Sequence, residues 1–247
     1  MANDIIFEAK YKLNNHEGKI VFAFYGDDDA SKNNINTPIL LSTDEKENFN
    51  RLKTVEAQNS FILGKLCGKL AVSKFCNISK FGIAIHHGVF GQPIVESNSK
   101  NVKISISHIN NTAFAMAFHE ETLCGCDIEL VQKNNINTIS QVLTEKEKKI
   151  CTPNTELISY HILWSAKESL AKAINLGFLI NMDLLEVKQI ERKSGYYQVA
   201  FKNFAMFTGI AIIVNSKIIT FVFPNKLMID SIFFQSLKEK LDISPIF

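Results

Sequence analysis

LCGCDIELV, residues 123–131, reads as a β-strand by its alternation. Cys124, Cys126, Ile128 and Leu130 fall on one side, and Gly125, Asp127, Glu129 and Val131 on the other. The first set is apolar, so the strand is expected to be half-buried with its acids on the wet face. At about 3.3 Å rise per residue the attachment points of Asp127 and Glu129 lie roughly 6 to 7 Å apart, within reach of one ion. Hard oxygen ligands of this kind suit Mg²⁺. A half-buried strand with two solvated acids accounts for the same residues without a metal.

Outward from this strand the chain alternates between sheet and helix. Downstream, SQVLTEKEKKI (140–150) and TELISYHILWSAKESLAKAINL (155–176) are helical, LLEVKQIERK, YYQVAF, FTGIAIIV and KIITFVF are strands, and a helix follows around Ile232 to Leu241. Upstream, FGIAIHH, KISISHI and TAFAMAFHE are strands with turn chemistry at Gly91, Pro93 and Asn110-Asn111. Before them lies a helical segment over 42–72, opened by a capping box of Ser42 and Glu45. Two strands, IIFEAKYKL and KIVFAFYG, begin the chain around a turn at Asn14, Asn15 and Gly18, and GDDDASKNNINTP (26–38) is a loop. Strands, helix, strands thus occurs once in 1–119 and again in 120–247, an α+β class with two halves of similar size. No linker rich in Gly, Ser or Pro separates them, and no residue-level repeat is visible.

Composition sets limits on function. The 247 residues are 46% hydrophobic and 21% charged, with a formal net charge of +2, enough for a real core. Only Arg51 and Arg192 are arginine, which disfavours a nucleic-acid footprint. Five cysteines without a CxxC pair fit a reducing compartment, and no apolar run reaches the length of a membrane span, so a cytoplasmic protein is expected.

On a helical wheel Ile158, Ile162, Ala166, Leu170 and Ala173 form an apolar stripe, and Trp164, Lys167, Glu168, Ala171 and Lys172 share the opposite face. An exposed helix with a Glu168 to Lys172 ion pair would explain the charges. It does not explain the chain's single tryptophan, which suits a face lining a groove better. Ser107 and His108 end the strand KISISHI and could hydrogen-bond a phosphate, though adjacent strand residues face opposite sides and a Ser-His-Asp triad is disfavoured.

Together, GQP (91–93), ISISH (104–108), GCDIE (125–129) and WSAKESLAK (164–172) resemble, in order, the G-x-P, S-H-S, G-x-D-x-E and W-x-x-K-E-x-x-x-K motifs of the Sfp-type 4'-phosphopantetheinyl transferases. That resemblance implies a pseudo-two-fold pair of α+β domains acting as a monomer, with the active site in the cleft between them. It implies transfer of 4'-phosphopantetheine from coenzyme A to a serine of an apo acyl or peptidyl carrier protein, releasing adenosine 3',5'-bisphosphate. Asp127, Glu129 and Glu168 would hold Mg²⁺, Glu168 would also be the candidate base, and Lys172 would contact the pyrophosphate. Ser107 and His108 would bind coenzyme A phosphate, with Gln92 where a lysine is common. Asn59 and Ser60 stand near where an arginine is expected, and Lys46 and Arg51 are the candidate substitutes. Ile109 and Cys126 also depart from the pattern, but no metal ligand is lost. The alternatives are a degenerate, non-catalytic carrier-binding relative and a Mg²⁺-dependent nuclease built from Asp127 and Glu186-Val187-Lys188.

Overall fold

The structure, a computed structural model, describes residues 5–13, 16–26, 40–97, 101–152 and 155–243. The turn expected at Asn14 and Asn15 and nearly all of the loop expected over 26–38 lie outside these. The chain divides into two compact units, one running to Thr122 and the other starting at Leu123. Among the described residues no helix is long and apolar enough to cross a membrane.

In the first unit, β1 (Ile5–Leu13), β2 (His16–Gly26), β5 (Val102–Ile109) and β6 (Thr112–His119) form an antiparallel sheet in the order β1-β2-β6-β5. The segment expected to be one helix over 42–72 is two, α1 (Thr43–Asn50) and α2 (Val55–Cys76). Thr54, extended and accepting a hydrogen bond from the Ala57 N–H, caps the start of α2 and so enforces the break. Helix α2 covers the sheet face made by Val21, Ala23, Tyr25, Ala113, Ala115 and Ala117. The short strands β3 (Ala84–His87) and β4 (Pro93–Glu96) form a hairpin.

In the second unit, β7 (Gly125–Leu130), β8 (Val187–Arg192), β9 (Tyr197–Phe201), β10 (Phe207–Val214) and β11 (Lys217–Pro224) form a sheet in the order β7-β11-β10-β9-β8. Helices α3 (Ile136–Val142), α4 (Glu145–Ile150) and α5 (Glu156–Ala173) lie between β7 and β8 in sequence. The terminal helix, α6 (Ser231–Ile243), packs Phe234 against Tyr196, Phe221 and Phe223.

Two expectations fail here for one reason. The Asp127 face of β7 is not wet: α5 lies directly on it, so close that a Cβ on Gly125 would come within 2.1 Å of the Ser169 carbonyl oxygen. Nor is the charged side of α5 exposed, because α3 and Leu143 cover what the sheet does not. Lys167 is completely buried, whereas Ile158, assigned to the core stripe, is 36% exposed. A wheel assumes one buried side; α5 has two.

Each unit contains the same buried ion pair. In the first, Glu45 completes the Ser42 capping box, and its Oε2 accepts from the Ser42 N–H at 2.8 Å and from Lys69 Nζ at 2.6 Å. Its Oε1 accepts from the Ile85 N–H of β3 at 2.9 Å, and Lys69 also donates to the Leu40 carbonyl at 2.7 Å. In the second, Glu147 completes a Thr144 capping box, with Oε2 accepting from Thr144 N–H at 2.8 Å and Lys167 Nζ at 2.7 Å. Its Oε1 accepts from the Val187 N–H of β8 at 2.9 Å, and Lys167 donates to the Val142 carbonyl at 3.0 Å. All four side chains are at most 1% exposed.

Candidate active site

Strand β7 and helix α5 together hold the candidate residues of the second unit. Asp127 is buried and its two oxygens are used by α5: Oδ1 accepts from Lys172 Nζ at 2.7 Å and Oδ2 from Ser165 Oγ at 2.9 Å. Glu129, two residues on and on the same face, accepts from Trp164 Nε1 at 3.0 Å. The tryptophan that a solvated helix left unexplained is thus the hydrogen-bond donor that orients Glu129. Glu168 is 7% exposed, and its Oε1 is buried with no hydrogen-bond partner among the described residues.

Three carboxylates on one wall with little water repel one another. Burial, reinforced by the Asp127 charge, pushes Glu129 up to about 7. Burial and the same neighbour push Glu168 up to about 7, against the pull of Lys172. Burial works against the Lys172 ammonium, but the Asp127 carboxylate outweighs it and holds the pKa above that of an ordinary lysine. The wall therefore has carboxylates short of positive charge and one lysine that partly supplies it. Among the described residues no three Asp, Glu, His or Cys side chains close to metal-ligand spacing. The donors nonetheless suit a hard divalent cation: they are oxygens, mutually repelling, and Glu168 Oε1 has nothing to bond.

In the first unit a cavity of about 170 Å³ is lined by residues of α2, the β3–β4 hairpin and β5. It brings Gly91 and Pro93 together with His108 and adds Ser60, Lys65 and His87. Lys65 was not anticipated; its amine, 5.0 Å from the Phe61 ring centre, donates to the Ile85 carbonyl. Burial lowers its pKa from the usual lysine value. A lysine on α2 one helical turn beyond Phe61 was legible as a candidate cation, but its burial was not. Ser107 is on the opposite face of β5 from His108, as strand alternation demands, and does not line the cavity. Gln92 folds back over its own turn, its Oε1 accepting from the Phe90 N–H at 3.0 Å. Lys46 and Arg51 are exposed on and just after α1, Arg51 beside Glu47, and neither lines the cavity.

The nuclease alternative fails on topology. Asp127 is on β7 and Glu186-Val187-Lys188 is at the start of β8, the two opposite edges of a five-stranded sheet. Four strand spacings of about 4.8 Å separate them. Glu186 pairs instead with Lys202 at 3.0 Å.

Comparison with known proteins finds similarity over the stretch of chain that contains β7 and α5. Residues 123–214 match the model of the 4'-phosphopantetheinyl transferase superfamily, a stretch that includes β7 and all of α5. The chain is 24% identical over 162 residues to the 4'-phosphopantetheinyl transferase gsp of Aneurinibacillus migulanus, covering 64% of this chain and 66% of that protein, just under two thirds of its length. A holo-(acyl-carrier-protein) synthase from Bacillus anthracis, solved with CoA (3',5'-ADP), is 24% identical over 34% of this chain and 78% of its own, at a TM-score of 0.32. The carboxylate wall lies inside the segment, residues 123–214, that is similar to the 4'-phosphopantetheinyl transferase superfamily.

Proposed function

We propose that the protein transfers 4'-phosphopantetheine from coenzyme A to a serine hydroxyl of an apo carrier protein. The observation that carries this is Glu168: a buried carboxylate with an unpartnered oxygen, a pKa raised to about 7, and Asp127, Glu129 and Lys172 around it. A group of that pKa accepts a proton at neutral pH, as attack by a serine hydroxyl requires. The serine oxygen bonds to the β-phosphorus of coenzyme A, the pyrophosphate bridge breaks, and adenosine 3',5'-bisphosphate leaves. Phosphoryl transfer depends chiefly on charge neutralisation and alignment. Lys172 is the cation beside the carboxylates that contacts the pyrophosphate. Asp127, Glu129 and Glu168 would hold Mg²⁺, which when bound supplies charge neutralisation at the phosphates. Ser165 and Trp164 keep Asp127 and Glu129 oriented.

The first-unit cavity supports the second half of the reading. Lys65, His87 and His108 offer nitrogen donors to a phosphate, and Phe61, Ile85, Pro93 and Ile106 give it apolar walls, a lining suited to a phosphorylated nucleotide.

The test is to incubate the protein with coenzyme A, Mg²⁺ and several apo acyl or peptidyl carrier proteins and to measure each carrier's intact mass. A gain of one phosphopantetheine is expected on at least one carrier, lost when the carrier serine is replaced by alanine. Unchanged mass on every carrier overturns the assignment and favours a non-catalytic carrier-binding role.

A further inference from the structure

The two buried ion pairs have no place in the chemistry above, yet they are built alike to the level of individual atoms. In both, a glutamate at the third position of a capping box uses one oxygen for the cap and a lysine, and the other for the first paired segment of a β-strand. Each lysine also closes onto the carbonyl two residues before the cap, at Leu40 and Val142. Both lysines are in the middle of the long helix of their unit, α2 or α5. With Lys69 set against Lys167, Leu66 stands where Trp164 does, Leu70 where Glu168 does, and Lys74 where Lys172 does.

We propose that Lys167–Glu147 and Lys69–Glu45 are one positioning device used twice, each fixing the rotation of its helix for a different purpose. In the second unit Lys167 immediately precedes Glu168, so anchoring it to α4 and β8 sets the direction in which Glu168 faces Asp127. In the first, Lys69 is one turn beyond Lys65 and shares Ile85 with it: Glu45 holds the Ile85 N–H and Lys65 holds its carbonyl. That pair therefore fixes both the helix wall and the strand wall of the cavity. A long helix packed by apolar contacts alone can turn by a fraction of its ridge spacing, whereas a buried ammonium held by a carboxylate and a main-chain carbonyl cannot. Neither lysine touches substrate in this account; both act through the residues beside them.

This inference rests on the transferase assignment, and the experiment separates the two. Lys167→Met and Lys69→Met are compared by steady-state transfer, by melting temperature, and by the emission of Trp164, the chain's single tryptophan. Both variants lose stability, because each leaves a buried glutamate without its ammonium. Lys167→Met should lower kcat by about 100-fold, the scale set by a misplacement near 1 Å, with KM for coenzyme A little changed. Its Trp164 emission should shift as the hydrogen bond to Glu129 loosens. Lys69→Met should raise KM for coenzyme A severalfold, leaving kcat and Trp164 emission near the parent values. Lys167→Arg, which keeps a cation against Glu147, should retain the parent emission and most of kcat. If Lys167→Met does not fold, Glu147→Gln is used, with the same expectation for kcat and emission. Equal losses of kcat and KM in both variants, or an unmoved Trp164 in a folded Lys167→Met or Glu147→Gln, overturn the proposal. A parent protein that transfers nothing overturns the transferase assignment, and the emission contrast still tests the positioning device.

Discussion

Glu168 and Glu129 carry the clearest consequences at the scale of single residues. A glutamate whose pKa rises from 4.5 unfolded to about 7 folded binds its proton more tightly in the native state. Its contribution favours folding below the unfolded value and is lost as pH rises through the folded one, across a window from about 4.5 to 7. Glu168→Gln removes this dependence, so the variant should melt a few degrees above the parent at pH 8 and show little difference at pH 4.5. A variant that melts below the parent at pH 8 would contradict the assigned environment. Protons and a divalent cation compete for the same oxygens. Added Mg²⁺ should therefore raise the parent's melting temperature more at pH 8 than at pH 6, and neither Glu168→Gln nor Asp127→Asn should show the full gain. Trp164→Phe deletes the donor that offsets the burial of Glu129, so its pKa should rise further and the pH profile of transfer should move to higher pH, measurable as the midpoint of the rising limb.

The relation of β7 to α5 is decided at the scale of elements, by the absence of a side chain. An alanine at Gly125 would put its Cβ 2.1 Å from the Ser169 oxygen and 2.5 Å from the Ala173 nitrogen, both main-chain atoms that cannot rotate away. Gly125→Ala must lift α5 from the strand and should cost about 3 kcal/mol in urea unfolding, with transfer reduced because Asp127 and Glu168 move apart. Unchanged stability would mean that the helix has room to shift. Elements were legible in the sequence where the pattern was local. The Ser42–Glu45 capping box, the strand alternation of 103–109 and the length of α5 are all set within a few residues. The break at Thr54 was hidden because Arg51 to Thr54 contains neither glycine nor proline. The second capping box, Thr144-x-x-Glu147, was equally visible in the sequence; pairing it with the first would have pointed to the two matching ion pairs.

For the molecule as a whole, the two units differ in which positions are polar. Val21, Ala23 and Tyr25 of β2 face α2, whereas Gly125, Asp127 and Glu129 of β7 face α5. Leucine stands at the helix positions matching Glu168 and Trp164, so among the described residues the carboxylate wall exists in the second unit alone. A division of labour is expected: Glu168→Gln should lower transfer by about 100-fold to 10,000-fold and leave calorimetric binding of coenzyme A within a few-fold. His108→Ala should weaken that binding. The reverse pattern would assign the two sites the wrong way round. The likeness of the two ion pairs escaped the sequence because their glutamate and lysine are 24 residues apart in one unit and 20 in the other, and because the shared residues are few.

The sequence by itself determined the candidate carboxylates, the order of motifs and the α+β alternation, since strand and helix periods fix which residues share a face. It did not determine which faces are buried. That was decided by tertiary packing: α5 has the sheet on one side and α3 on the other, so acids expected on the wet face of β7 lie beneath a helix and a lysine expected in water is fully enclosed. Periodicity reports the direction of a side chain along its own element. Only the neighbouring elements determine what meets it there, and at this site that burial raises the two glutamates toward neutral pH.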